Sequence, residues 1–282
     1  MSDRDYLRVD YGGREFRPSF WSTYPCTKAS IITLAAIHVL HLIVRAISTE
    51  AGFWIDDHFW LWPERVLDQF FVWQLATMAL FHASGVWHLG MNCLMLFYFG
   101  RMVEERLAPK QFWVFCLCAN MVAALAFLLE SVVLDQTNPG LGASGIVLGL
   151  VVLAAMWFPH REILFFFVLR MPLWVLAVIV VVADVIALLE LDGGIAHSAH
   201  LGGALFAFLY VKYGGRFSRA FEKIDELADK RERKKQAKTT AKEADLRREV
   251  DRILDKVNQQ GMAALTDEER RFLKDASGKL GK

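Results

Sequence analysis

The stretch PGLGASGIVLGLVV, Pro139 to Val152, places one serine among small residues at the head of an apolar run that continues to Phe158. Ser144 stands in Gly142-Ala143-Ser144-Gly145, where a helix begins. The first N–H groups of a helix have no intrahelical partner, and the dipole is positive there, so a developing oxyanion is welcome at that point. A serine in this position is also consistent with one bonded to its own backbone. Gly145 and Gly149, four apart, add a small-xxx-small face on which a second helix can come close.

Outward from this run, the chain divides by composition. It has 282 residues, 55% hydrophobic and 22% charged, with a formal net charge of +1. Met1 to Lys212 holds 13 Lys/Arg and 17 Asp/Glu, whereas the 70 residues from Tyr213 hold 19 and 14. An oily body with a charged tail excludes a single soluble domain, and its abundant Leu, Val, Phe and Trp exclude general disorder. Near-neutrality argues against a nucleic-acid binder, although the tail can touch anionic lipid. Cys26, Cys93, Cys116 and Cys118 form no zinc pattern and read as buried small hydrophobes. The N-terminal segment is not a signal peptide.

Six runs approach membrane-spanning length: Ala29–Val44, Gly85–Gly100, Phe112–Leu129, Leu141–Phe158, Met171–Leu189 and Ile195–Val211. The first is short, so Lys28 and Arg45 are expected to snorkel around it. Between the first two, Phe53–Trp62 and Phe70–Trp73 read as amphipathic pieces lying in the interface. Six crossings place 30 of the 32 positive residues on one side, leaving Arg45 and Arg65 on the other. The expectation is an all-α, polytopic, six-transmembrane-helix bundle in a cell inner membrane. Both termini are expected to be cytoplasmic, and any site near the start of the second, fourth and sixth runs to lie toward the outer face.

Polar residues inside such runs are functional suspects. The second, fourth and sixth runs enter from the same face. At ~1.5 Å per residue, Ser144 and His200 lie roughly 8 and 9 Å in, and His88 and Asn92 roughly 6 and 12 Å. Four polar side chains from three helices share one level. Histidine has the right basicity to activate serine, and His88 and Asn92, on one helix face, can both donate hydrogen bonds. No Asp or Glu lies at that level in those three runs, so the reading is a dyad without a carboxylate orienter.

At these residues the chain resembles the rhomboid family of intramembrane serine proteases. The resemblance is carried by HLGMN (His88–Asn92), GR from Gly100 with Glu104 or Glu105, GASG (Gly142–Gly145) and AHLGG (Ala199–Gly203), in the family's order, over about Lys28 to Tyr213. It implies Ser144 as nucleophile and His200 as general base. His88, Asn92 and the Ser144 backbone N–H would form the oxyanion hole, with Gly142, Ala143, Gly145, Gly149 and Gly203 in support. The implied reaction is hydrolysis of peptide bonds in or beside transmembrane segments, without metal or cofactor. The implied partners are membrane lipids and transmembrane-protein substrates. Four departures stand out: Leu148 replaces an aromatic one turn after the serine, and Trp73-Gln74 stands for Trp-Arg. His82 lies six rather than five residues before His88, and Ala207 replaces a glycine.

The remaining features carry weaker readings. His197 and His200 share a face, but no carboxylate or cysteine completes a zinc set, so His197 reads as mouth-lining or supporting. His38 and His41 read as packing residues. Asp184, inside the fifth run, reads as protonated or hydrogen-bonded, without an assigned role. The domains expected are an N-terminal segment 1–28, the membrane domain 29–213, a charged linker 214–245 and a helical hairpin 246–282. In the hairpin, Gly261 ends one helix and Thr266-x-x-Glu269 caps the next. The tail is a candidate docking site for a cytosolic partner. Rival readings are a non-proteolytic scaffold for transmembrane clients, a transporter using Asp184 and the histidines, and a metalloprotease.

Overall fold

The computed structural model describes residues 23–83, 85–165, 168–190 and 196–261, and beyond them 265, 266, 268, 270–273 and 276. Residues 1–22 of the expected N-terminal segment, together with Ile195 and Glu269, lie outside the described residues. The chain separates into two compact units, Met1–Gly214 and Gly215–Lys282.

The first unit is helical. Its elements are α1 (Pro25–Ile47), α2 (Thr49–Phe59), α3 (Pro63–Gln69), α4 (Val86–Met95), α5 (Pro109–Leu134), α6 (Ser144–Trp157) and α7 (Leu173–Leu189). They are followed by α8 (His197–Gln260). α4 continues through a π turn at Leu96–Gly100 into a helical turn, Arg101–Glu104. Among the described residues, α1 and α5 are long and apolar enough to cross a membrane, while α6 and α7 are apolar but shorter. α6 is short because residues 139–143 stay out of the helix; Gly142 sits at φ 115°, in the region that a side chain disfavours.

Burial explains the oily composition. Phe112, Phe115, Leu150, Leu153, Leu173 and Leu176 are almost wholly inside. Yet Leu125, Leu129 and Val133 on α5, and Ile179, Val182 and Ile186 on α7, are exposed. Helices apolar on both faces need an apolar solvent, which is the signature of a membrane domain. In such a solvent close helix packing requires small residues. A Cβ on Gly203 of α8 would stand 1.9 Å from the Gly145 carbonyl oxygen of α6. One on Gly149 would meet the Gly203 oxygen at 3.0 Å, and one on Gly145 would meet Ala123 of α5 at 2.7 Å. α6 is thus held against α5 and α8 at backbone distance.

The domain is helical as expected, with one short strand pair among the described residues. A two-stranded antiparallel hairpin, β1 (Glu162–Phe165) with β2 (Leu169–Pro172), joins α6 to α7, pairing Ile163 with Met171. The chain must reverse there, and strand pairing satisfies backbone groups that neither helix can reach. Arg161 of this turn and Arg106 after α4 meet at one ring. The guanidinium groups of Arg106 and Arg161 lie 4.3 and 4.4 Å from the Phe158 ring, and Arg161 pairs with Glu105 at 3.2 Å. Glu104 takes a different part. Its carboxylate accepts from the N–H groups of Cys26 and Thr27 at 2.7 and 2.9 Å, capping the free donors at the start of α1.

The α1–α4 connection is built, not loose. Gln74, fully buried, donates from Nε2 to the Asp57 oxygen at 2.7 Å and accepts the Trp62 N–H at 3.0 Å. Asn120 of α5 donates to the Leu75 oxygen at 2.8 Å. Arg45 donates to Asp56 at 2.7 Å, and His41 Nε2 lies 2.7 Å from the other oxygen of that carboxylate. Phe53, Trp54, Phe70 and Trp73 remain exposed, as an interfacial segment requires. In the second unit α8 ends at Gln260, where Gly261 at φ 80° returns its N–H to the Val257 oxygen at 2.9 Å. Ile253, Leu265 and Ala276 are buried there. All four cysteines are free.

Candidate functional site

His88 and Asn92 are the third and seventh residues of α4, Ser144 is the first of α6, and His200 is the fourth of α8. All four line one cavity of about 520 Å³, together with Leu148 and Asp184. Ser144 and His200 are half-buried, so both reach the cavity.

Residues 139–143 deliver the serine by a set of backbone clamps. Leu61 and Gly140 exchange hydrogen bonds of 2.9 Å, and the Gly142 N–H bonds to the Met78 oxygen at 2.9 Å. A Cβ on Gly142 would lie 2.8 Å from the His88 ring and 3.8 Å from Ser144 Oγ. Gly142 therefore lets the His88 ring close over the backbone beside Ser144. The Ala143 N–H donates to His82 Nε2 at 3.4 Å. That bond needs a neutral imidazole. Burial, reinforced by the neighbouring His88 and His38, lowers His82 to about 3. Its ring packs edge-on against His88 with centroids 5.0 Å apart.

Asn92 is buried and donates from Nδ2 to the His88 carbonyl at 2.9 Å. A primary amide has two N–H bonds, so one engaged donor leaves another for the cavity.

His200 is where the reading changes. Its Nδ1 lies 2.9 Å from Asp184 Oδ1, and His197 Nδ1 lies 2.6 Å from the same oxygen. No carboxylate was expected beside His200, and this one arrives from α7, a helix outside the three first compared. The same fact corrects the statement that nothing completes a metal set. Asp184, His197 and His200 offer three ligand atoms within 4.8 Å. Ligands about 2.0–2.1 Å from a tetrahedral zinc stand about 3.3 Å apart, however. Separations of 2.6 and 2.9 Å are those of hydrogen bonds.

Two departures are absorbed. Leu148, in place of an aromatic, is buried beside the cavity. Gln74 does anchor its segment, through the bonds to Asp57 and Trp62. Sequence reading missed Asp184 and His82 as parts of the site. The signal for Asp184 was its cost inside an apolar helix; for His82 it was a histidine one residue out of register.

Fold and cavity together define a class, an apolar helical domain of membrane type that brings a serine, histidines and an asparagine into one pocket. A family model described as the rhomboid domain matches residues 69–217. The chain belongs to the rhomboid family. Residues 228–279 match a second model, described as a family of unknown function (DUF6576).

Similar proteins include Rhomboid protein 1, mitochondrial, of Saccharomyces cerevisiae, 33% identical over 141 residues, 49% of this chain and 40% of that one. RHOMBOID-like protein 12, mitochondrial, of Arabidopsis thaliana is 25% identical over 147 residues, 47% of this chain and 44% of its own. The Presenilin-associated rhomboid-like protein, mitochondrial, of Homo sapiens is 26% identical over 143 residues, 49% of this chain and 37% of its own. The chain thus matches less than half the length of each. These relatives bear mitochondrial names, which overturns the assignment to a bacterial-type cell inner membrane with cytoplasmic termini. Positive charge counted along a sequence orders the sides of a membrane but does not say which membrane it is.

Proposed function

We propose that this protein is an intramembrane serine endopeptidase, with Ser144 as nucleophile and His200 as general base, in a bundle that crosses the membrane six times. The observation that carries the reading is a half-buried serine at the N-terminus of α6 sharing one cavity with His200, His88 and Asn92. Family membership supports it.

Ser144 Oγ attacks the scissile carbonyl carbon while its proton passes to His200 Nε2. The carbonyl electron pair becomes an oxyanion, received by the Ser144 N–H at the helix start, by His88 and by the second amide hydrogen of Asn92. The C–N bond then breaks, the leaving amine takes the proton from His200, and water repeats the sequence on the acyl-enzyme. The cavity lies among apolar helix ends, so the substrate class is a transmembrane segment whose helix opens locally to expose a peptide bond. Lipid surrounds the domain.

The test is cleavage of a transmembrane substrate in proteoliposomes. Wild-type protein cleaves it and reacts with a fluorophosphonate, and Ser144→Ala does neither. Equal cleavage by Ser144→Ala would sink the assignment.

A further inference from the structure

We propose that Asp184 is the positioning carboxylate of His200, so that the base of the Ser144 site belongs to a triad completed from α7, with His197 bound to the same oxygen. The inference rests on the protease reading and adds a residue to it.

Asp184 stands in LWVLAVIVVVADVIALL, a helix with no other charged residue. It is buried, with 6% of its surface exposed. A carboxylate in such surroundings is costly unless partners satisfy it. Its partners are His197 and His200, one helical turn apart on α8, and both turn Nδ1 to the same atom, Oδ1. Each bond is satisfied when the ring carries its proton on Nδ1, because an ionised carboxylate only accepts. In His200 that tautomer leaves Nε2 with its lone pair free, the state a base needs. His200 and Ser144 line the same cavity. Among the described residues the other titratable group set against His200 from a neighbouring helix is His88 of α4.

The proton inventory closes without a proton on Asp184. The Ser144 Oγ–H bond breaks and a proton joins His200 Nε2, giving an imidazolium with two N–H bonds. Asp184 Oδ1 keeps its Nδ1–H bond throughout and stabilises the positive ring. The proton then leaves Nε2 for the departing amine. His197 shares the carboxylate from the side, and its Nε2 is buried with no partner among the described residues. It holds Asp184 in place and does not face the chemistry.

The experiment compares wild type, Asp184→Asn, Asp184→Glu, His197→Phe and Ser144→Ala in proteoliposomes, by fluorophosphonate labelling and by cleavage. Asp184→Asn is expected to lower kcat by about 10- to 10⁴-fold with KM little changed, and to slow labelling in parallel. The acidic limb of its pH–rate profile should move to lower pH, because the imidazolium has lost its countercharge. Asp184→Glu should recover part of the rate. His197→Phe, which leaves Oδ1 to His200 alone, should keep the acidic limb where it is. Where Asp184→Asn fails to fold, ¹⁵N NMR of histidine-labelled wild type decides instead, with His200 expected protonated on Nδ1. A wild type that neither cleaves nor labels sinks the protease reading. A wild type that labels while folded Asp184→Asn keeps its rate and pH profile overturns the positioning role, as does His200 protonated on Nε2.

Discussion

Gly203 and Gly90 are both helical glycines, and their surroundings differ sharply. A methyl group at Gly203 would enter the space of the Gly145 carbonyl oxygen, which is backbone and cannot swing away. Gly203→Ala must push α8 from α6, separating His200 from Ser144. We expect a loss of about 3 kcal/mol or more and loss of fluorophosphonate labelling, read by thermal unfolding in detergent and by gel fluorescence. At Gly90 nothing stands within 4 Å of an added Cβ. Gly90→Ala should keep full labelling and stabilise by up to about 1 kcal/mol, since alanine loses less backbone entropy in a helix. Sequence reading named Gly145, Gly149 and Gly203 as a packing face because small residues four apart lie on one side of a helix. It named Asp184 inside the fifth run but not its pairing with His200, because a distance of 16 residues between a carboxylate and a histidine has no periodic signature.

The connection between α1 and α4 shows the same division at the level of elements. Its aromatic content pointed to an interfacial segment, but not to the clamps that run from it to residues 139–143. Gln74→Ala would leave the Trp62 N–H and the Asp57 carbonyl unpaired. The expected cost is on the order of 2–4 kcal/mol in thermal unfolding, with slower labelling of Ser144 as residues 139–143 loosen. His82 adds a pH dependence. Its folded value of about 3 lies below the ordinary 6.5, so the unfolded chain binds the extra proton. Stability from this group is complete above about 6.5 and is lost as the pH falls toward 3, by at most about 1.4 kcal/mol per pH unit. His82→Asn keeps an acceptor for Ala143 and cannot titrate there. Its melting temperature should depend less on pH over that window, and an unchanged slope would assign the effect elsewhere.

The molecule as a whole combines an apolar domain with a charged second unit. The exposed leucine, valine and isoleucine faces of α5 and α7 predict that the chain stays in the membrane pellet after alkaline carbonate extraction. Every residue of the candidate site lies before Gly214, within the first unit. A chain ending at Gly214 should therefore label at Ser144 as fast as the full chain, and a large loss would show that Gly215–Lys282 acts on the site. What the amino-acid order settled by itself was local. Apolar runs choose helices, glycine spacing chooses a contact face, and a serine after Gly142-Ala143 falls at a helix start, since each depends on residues a few positions apart. The tertiary structure decided which distant groups share an atom. Asp184 reaches His200, Gln74 holds Trp62 and Asp57, and His82 takes the Ala143 N–H because packed helices and clamped loops bring them within 3.4 Å. Hydrogen bonds act only over such distances, and helix packing rather than spacing along the chain sets them.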